Sequence, residues 1–148
     1  MRYEDCLALS TLLIGAAGTV VDRIQAGMAA RGYDDVRPAH GFAFVRLSPG
    51  GATAGELAKH LGVSKQAASQ LVDELVRKGY VERQPHPTDA RARLVVLTAR
   101  GRACTRAAEE TAAEAARPWV DVLGSERTRA LRADLERVVP PGPLRPSW

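Results

Sequence analysis

The residues best able to do chemistry lie between positions 64 and 93. In the stretch SKQAASQLVDELVR, a helix advances by about 100° per residue. Lys65, Gln66, Ser69, Gln70, Asp73 and Arg77 then share one arc, while Ala67, Ala68, Leu71, Val72 and Leu75 fall on the other side. One face packs and the other is offered to a partner. Its amides and hydroxyls, with Ser64 just ahead of them, both donate and accept hydrogen bonds, as the base edges of a DNA major groove require. Asp89, Arg91 and Arg93 cluster further along, in a segment rich in turn residues. Catalytic chemistry is served poorly. His40, His60 and His86 stand in no metal-ligand or triad-like motif, Cys6 and Cys104 have no ligand spacing, and no Gly-rich phosphate loop occurs. The expectation is a protein that is not an enzyme and has no metal or cofactor.

The elements needed to position that face can be read in order. Thr53 and Glu56 have the spacing of a capping box, Leu57, Ala58 and Leu61 give one apolar stripe, and Gly62 supplies a left-handed stop. Val63 is expected to plug the corner, and Ser64 to cap the next helix. Small residues at 58, 62, 67 and 68 suit a close helix crossing. After that helix, YVERQ alternates like a half-buried strand, PHPTDA supplies a turn, and RLVVL resumes strand character. Helix, turn, helix and basic hairpin form the order of a winged helix-turn-helix.

The stretch LVDELVRKGYVERQPHPTDARARLVVLTARG resembles the multiple-antibiotic-resistance regulator (MarR) family. The resemblance rests on the Asp-x-Arg wing signature at Asp89 and Arg91 and the closing Leu-Thr-x-x-Gly at Leu97 to Gly101. It implies a homodimer with a winged helix at each lower corner, held by interlocked N- and C-terminal helices. Its partner would be double-stranded DNA carrying a pseudo-palindromic operator, read by two recognition helices one helical turn apart, about 34–36 Å. Ser64, Lys65, Gln66, Ser69 and Gln70 are then expected to face the groove. Gln66 and Gln70 contact bases, and Lys65 and Ser69 hold phosphate. Arg91 matches the family's wing arginine, which enters the minor groove, with Asp89 orienting it through a salt bridge and Arg93 meeting the backbone. Family members commonly respond to small aromatic or phenolic effectors bound between the dimerisation helices and the winged helix. His40, Phe44 and Trp119 are the candidates to line such a site, each also readable as a core residue. Cys6 lies where a thiol-switch branch of the family keeps its reactive cysteine, so an oxidation-sensing regulator is one alternative, and a winged-helix protein-interaction module is another.

Composition sets the bounds. A chain of 148 residues is long enough to bury a real core. Net charge is +4. Residues 53–100 carry 8 basic and 5 acidic side chains, residues 1–52 carry 5 of each, and residues 101–148 carry 8 and 7. Most of the excess therefore sits in the winged-helix segment, as an electrostatic footprint for phosphate requires. The segment from Cys6 to Val21 is apolar, but MRYED has the wrong charge for a secretory leader. No run is expected to reach membrane-spanning length, and a cytoplasmic location is expected.

Asp5 to about Met28 reads as a long helix containing glycines that weaken its continuity and suit close helix approach, and Pro38 to about Leu47 as a second. Beyond Thr98 comes an Ala- and Arg-rich helix that Pro118 should kink or divide and Gly124 should stop, with Ser125 capping a last helix. The expected fold is mainly α with a small β-hairpin wing, in one domain over 1–148. Dimerisation helices occupy about 5–35 and 102–139, a DNA-binding lobe about 38–101, and a tail 140–148.

Overall fold

A computed structural model describes residues 2–140; the expected tail beyond Pro140 lies outside the described residues. The elements are α1 (Tyr3–Ala30), α2 (Pro38–Leu47), α3 (Ala54–Leu61), α4 (Lys65–Arg77), β1 (Val81–Pro85), β2 (Arg93–Leu97) and α5 (Ala99–Val138). The expected class holds: helices with one antiparallel hairpin, paired from Val81↔Leu97 to Pro85↔Arg93.

Local chemistry accounts for the boundaries. Thr53 Oγ1 accepts from the Glu56 N–H at 3.2 Å and Glu56 Oε2 accepts from the Thr53 N–H at 2.8 Å, completing the capping box on α3. Gly62 closes α3 in the left-handed region at φ 65°. The Val63 N–H donates back to the Ala58 carbonyl at 3.1 Å. Val63 does not plug the corner, because that backbone closure leaves its side chain 45% exposed. Ser64 Oγ accepts from the Ala67 N–H at 3.1 Å and starts α4.

The hairpin is bolted to the body from two sides. Ala52 and Val95 exchange backbone hydrogen bonds of 3.0 and 2.8 Å, adding a one-residue third rung to the sheet. Gly51, at φ +91°, lies so close that an added Cβ would meet the Val95 carbonyl at 2.5 Å. On the other side, Thr98 caps α5 by accepting from the Gly101 N–H at 3.1 Å while its hydroxyl donates to the Gly79 carbonyl at 2.7 Å. The Leu-Thr-x-x-Gly motif is therefore a joint between wing and α5.

The core gathers Phe44 and Leu47 of α2, Leu57 of α3, Val72 and Leu75 of α4, and Val81, Val95 and Leu97 of the hairpin around fully buried Tyr80. The Tyr80 ring lies 5.7 Å from that of Phe44, and Arg100 sits 4.6 Å above it. Its hydroxyl donates to Asp35 Oδ1 at 2.6 Å, fixing the α1–α2 connection to the start of the wing. Burial first, and that bond second, push the phenol up to about 12.

Helix α1 is the long helix expected, running unbroken through its glycines; the terminal helices differ from expectation in other respects. Only Gly27 mediates a close approach, to Thr111 of α5, while Gly15 and Gly18 face open space. Pro118 leaves α5 helical, and the break falls at Gly124, whose φ of 78° and ψ of 160° belong to a region essentially reserved for glycine. Finally, α1 is long and apolar enough by length and composition to cross a membrane, with mean hydropathy 1.5 over its best window. The expectation that no run reaches that length is corrected. Its apolar side chains lie largely uncovered, with Leu12 at 70% and Ile14 at 76% exposure, and Val122 and Val138 of α5 are bare as well.

Candidate nucleic-acid interface

Helix α4 buries Ala68, Val72 and Leu75 and turns Lys65, Gln66 and Gln70 outward, with Ser69 half-exposed beside them. Ala67, expected on the packed side, is exposed as well, since it lies at the edge of the apolar arc in the first turn. Its methyl joins the outward surface, where it could meet a thymine methyl. Ser64 is exposed but commits its oxygen to the cap, leaving its hydroxyl proton for a phosphate. This polar surface is thus assembled by one helix whose other face is locked into the core.

The wing tip is built from its own side chains. His86 Nδ1 accepts the N–H groups of Thr88 and Asp89 at 3.2 and 3.1 Å, and Asp89 Oδ1 accepts the Arg91 N–H at 2.9 Å. The expected Asp89–Arg91 salt bridge is replaced by this bond, because a carboxylate reaches the backbone two residues on more readily than a long side chain curling back. Asp89 shapes the turn, and the Arg91 side chain is left exposed. Arg93, at the start of β2, is exposed too.

Electrostatics sharpen the surface. Glu56 faces Arg46, Asp73 pairs with Arg83 of β1, and Glu74 pairs with Arg37 and Lys78. Among the described residues, Lys59, Lys65, Arg77, Arg91 and Arg93 of this lobe enter no ion pair, against Glu82 and Asp89 among its acids, so an unpaired positive surplus remains on the lobe. Arg83 was not singled out in the sequence, although its place at an outward strand position beside the helix signals a charge partner for Asp73.

The other candidates scatter. Phe44 helps to line a cavity of about 380 Å³ among α1, α2 and α5, together with Ile24, Met28, Val36, Arg37 and Ala108. His40 is fully buried behind it and does not line it, and Trp119 lines a separate recess with Ala16, Arg23 and Pro118. Cys6 is exposed near the start of α1, whereas Cys104 is buried and its thiol is pushed up to about 11 by that burial. Among the described residues no group of three or more His, Cys, Asp or Glu side chains is placed to hold a metal.

His40 joins α2 to α4. Its Nδ1 accepts the Arg37 N–H at 3.0 Å, so the proton sits on Nε2, which faces Glu74 Oε2 at 3.5 Å. Burial lowers its pKa from 6.5 against the opposing pull of Glu74, and the Lys78 hydrogen bond is the main cause holding Glu74 down at about 2. The unfolded chain therefore binds more protons than the native one below pH 6.5 for His40 and below pH 4.5 for Glu74. Stability should be full above pH 6.5 and fall as the pH drops through both windows. Thermal melting against pH checks this: His40→Asn, whose amide oxygen can replace Nδ1 as acceptor, should lose the upper part of the decline and keep the lower.

A sequence model of the MarR family matches residues 42–92, which include α3, α4 and the wing tip. The multiple antibiotic resistance protein MarR of Salmonella typhimurium is 39% identical over 82 residues, covering 55% of this chain and 52% of that protein. The crystal structure of apo MarR from Escherichia coli superposes with a TM-score of 0.70 at 25% identity, covering 89% of this chain and 97% of that one. A mutant of that protein complexed with operator DNA gives 0.72 at 24%, covering 95% and 99%. The chain spans about half the length of the curated Salmonella relatives it matches.

Proposed function

We propose, from the match of residues 42–92 to the MarR family model and the likeness to MarR relatives, that the chain is a member of that family and a sequence-specific double-stranded-DNA-binding regulator of transcription. It acts in the cytoplasm as a homodimeric repressor released by a small molecule. One observation carries the reading: the outward first turns of α4 and the Asp89–Arg91 wing tip hold unpaired cations and bidentate amides on a lobe where Glu56, Asp73 and Glu74 are engaged in ion pairs elsewhere. Two such helices in successive major grooves would read a pseudo-palindrome. The bare apolar residues of α1 and the last part of α5 supply the surface that a second chain would cover. The same exposure would suit a bilayer, but α1 carries Asp22 and Arg23 on its third-last turn and packs beyond them on α5 through Gly27 and the Arg31–Glu114 ion pair of 2.7 Å.

The role proposed for Arg91 is electrostatic and minor-groove. Arg91→Ala should weaken binding across sequences rather than at one base, and should reduce the slope of log affinity against log salt by about 1 for each of the two wings. Unchanged affinity and slope would remove the wing from the interface.

The reading is tested by fluorescence anisotropy with duplexes from the DNA flanking the gene, titrated against salt. Tight binding to one near-palindrome over its scrambled version, weakening steeply with salt, supports it. Absence of duplex binding even at low salt would overturn it in favour of a protein-interaction module.

A further inference from the structure

Two alkyl side chains stand bare at the end of α4 that carries the amides. Ala67 follows Gln66 in the first turn and is exposed, although its neighbour Ala68 is fully buried. Val63, one residue before the Ser64 cap, is exposed as well. Local hydrogen bonds fix both positions: Ser64 Oγ accepts the Ala67 N–H at 3.1 Å, and the Ala58 carbonyl accepts the Val63 N–H at 3.1 Å. At about 100° per residue, Ala67 lies one step round from Gln66 and about 60° from Gln70. The surface that holds the two amides is thus bordered by a methyl group, with no charge or hydroxyl between.

That border matches the chemistry of the base pair the amides suit. An A·T pair shows adenine N7 and N6 in the major groove and, beside them, the thymine O4 and C5-methyl. A glutamine bound to the adenine edge covers the polar half of that pattern and leaves the methyl to a neighbouring side chain. A hydroxyl or charge set against it would lose water without gaining a partner. We propose that Ala67 is a specificity-determining residue whose methyl packs on a thymine C5-methyl in each half-site, so that both edges of an A·T pair are read. The proposal rests on the regulator reading above and adds an apolar contact to its base code. Val63 extends the apolar surface at the same end of α4 and helps to keep water from the contact. Burial of one methyl strengthens binding about fourfold, and two half-sites together about fifteenfold.

The test uses the full chain and an operator duplex resynthesised with deoxyuridine in place of thymidine, one symmetry-related pair of positions at a time. Uracil keeps O4 and its pairing with adenine and lacks only the methyl. Competition anisotropy at low salt, where weakened complexes still form, reads the ratio of affinities for the thymine and uracil duplexes. For the wild type, one symmetric pair of positions should give a ratio of about fifteen, the value expected for two buried methyls. Ala67→Ser should bring that ratio to within about twofold of one, since the apolar contact is lost, and should leave the salt dependence unchanged. Ala67→Gly, which has no side chain, should do the same; its cost to the helix falls on both duplexes and cancels from the ratio. A wild type that binds thymine and uracil duplexes alike at every position overturns the proposal. So does a ratio that persists in both variants, because the methyl then acts through duplex stiffness or another side chain. In either case a chain that still selects its operator keeps the regulator reading. A wild-type chain that binds no operator loses that reading, and this inference with it.

Discussion

A chain carrying both Gln66→Ala and Gln70→Ala should bind its operator hundreds-fold more weakly while binding scrambled DNA almost as before. Each bidentate amide-to-adenine pair discriminates by about 1–3 kcal/mol, and the two positions lie one turn apart on the outward face of α4. Neither side chain packs in the core, so the melting temperature should not move. The salt dependence should persist, because Lys65, Arg91 and Arg93 remain in place. Competition anisotropy with operator and scrambled duplexes reads both effects at once. An equal loss on the two duplexes would mean that the glutamines position the helix rather than read sequence.

Gly101→Ala should cost the fold more than any other single methyl considered. The new Cβ would lie 2.1 Å from the Tyr80 carbonyl oxygen and 3.2 Å from a Leu97 methyl. Neither neighbour is free to retreat, since the Tyr80 carbonyl also accepts the Thr98 N–H at 3.0 Å and the Tyr80 hydroxyl is held by Asp35. The α5 cap and the base of the wing must separate. Overpacking of this kind costs about 1–3 kcal/mol, and the upper end corresponds to a fall in melting temperature of roughly 10 °C. Gly15→Ala provides the contrast: nothing lies within 4 Å of its added Cβ in the single chain. Calorimetric melts of the two variants, at a concentration where the chain is monomeric, should show a large loss for the first and none for the second.

The legible parts of the fold were those whose signals are local. Thr53 with Glu56, Gly62, Ser64 and the strand character of YVERQ and RLVVL each act through neighbours a few residues away, so α3, α4 and the hairpin could be read directly, the first strand one residue early. Where a residue's role depends on what packs across from it, reading failed. Val63 was given the corner because it is apolar, yet the backbone closure through Gly62 excludes it. Pro118 was expected to kink or divide the last helix, but the carbonyl that its missing N–H leaves free is that of Glu114, an exposed residue, so the cost is tolerable. Gly27 and Gly15 look alike in sequence, and only the former finds α5 beside it.

The site divides similarly. The outward face of α4 follows from helical periodicity alone and the wing turn from the residues PHPTDA, whereas the link between Asp89 and Arg91 was implied by the family resemblance, and the backbone bond that replaces their salt bridge was not legible. The partners of the acids were invisible: Arg83 meets Asp73 across the wing, and Arg37 meets Glu74 across 37 residues of chain. His40 and Trp119, chosen as ring-bearing candidates for one pocket, lie apart because burial and helix phase separate them.

The most direct measurement is a hydroxyl-radical footprint of the protein on a duplex it has selected from random sequence. The expected pattern is two symmetric protected patches centred about 10–10.5 base pairs apart, flanked by minor-groove protection that Arg91→Ala removes. A single asymmetric patch, or protection that ignores sequence, would contradict a dimer reading a palindrome with two copies of α4.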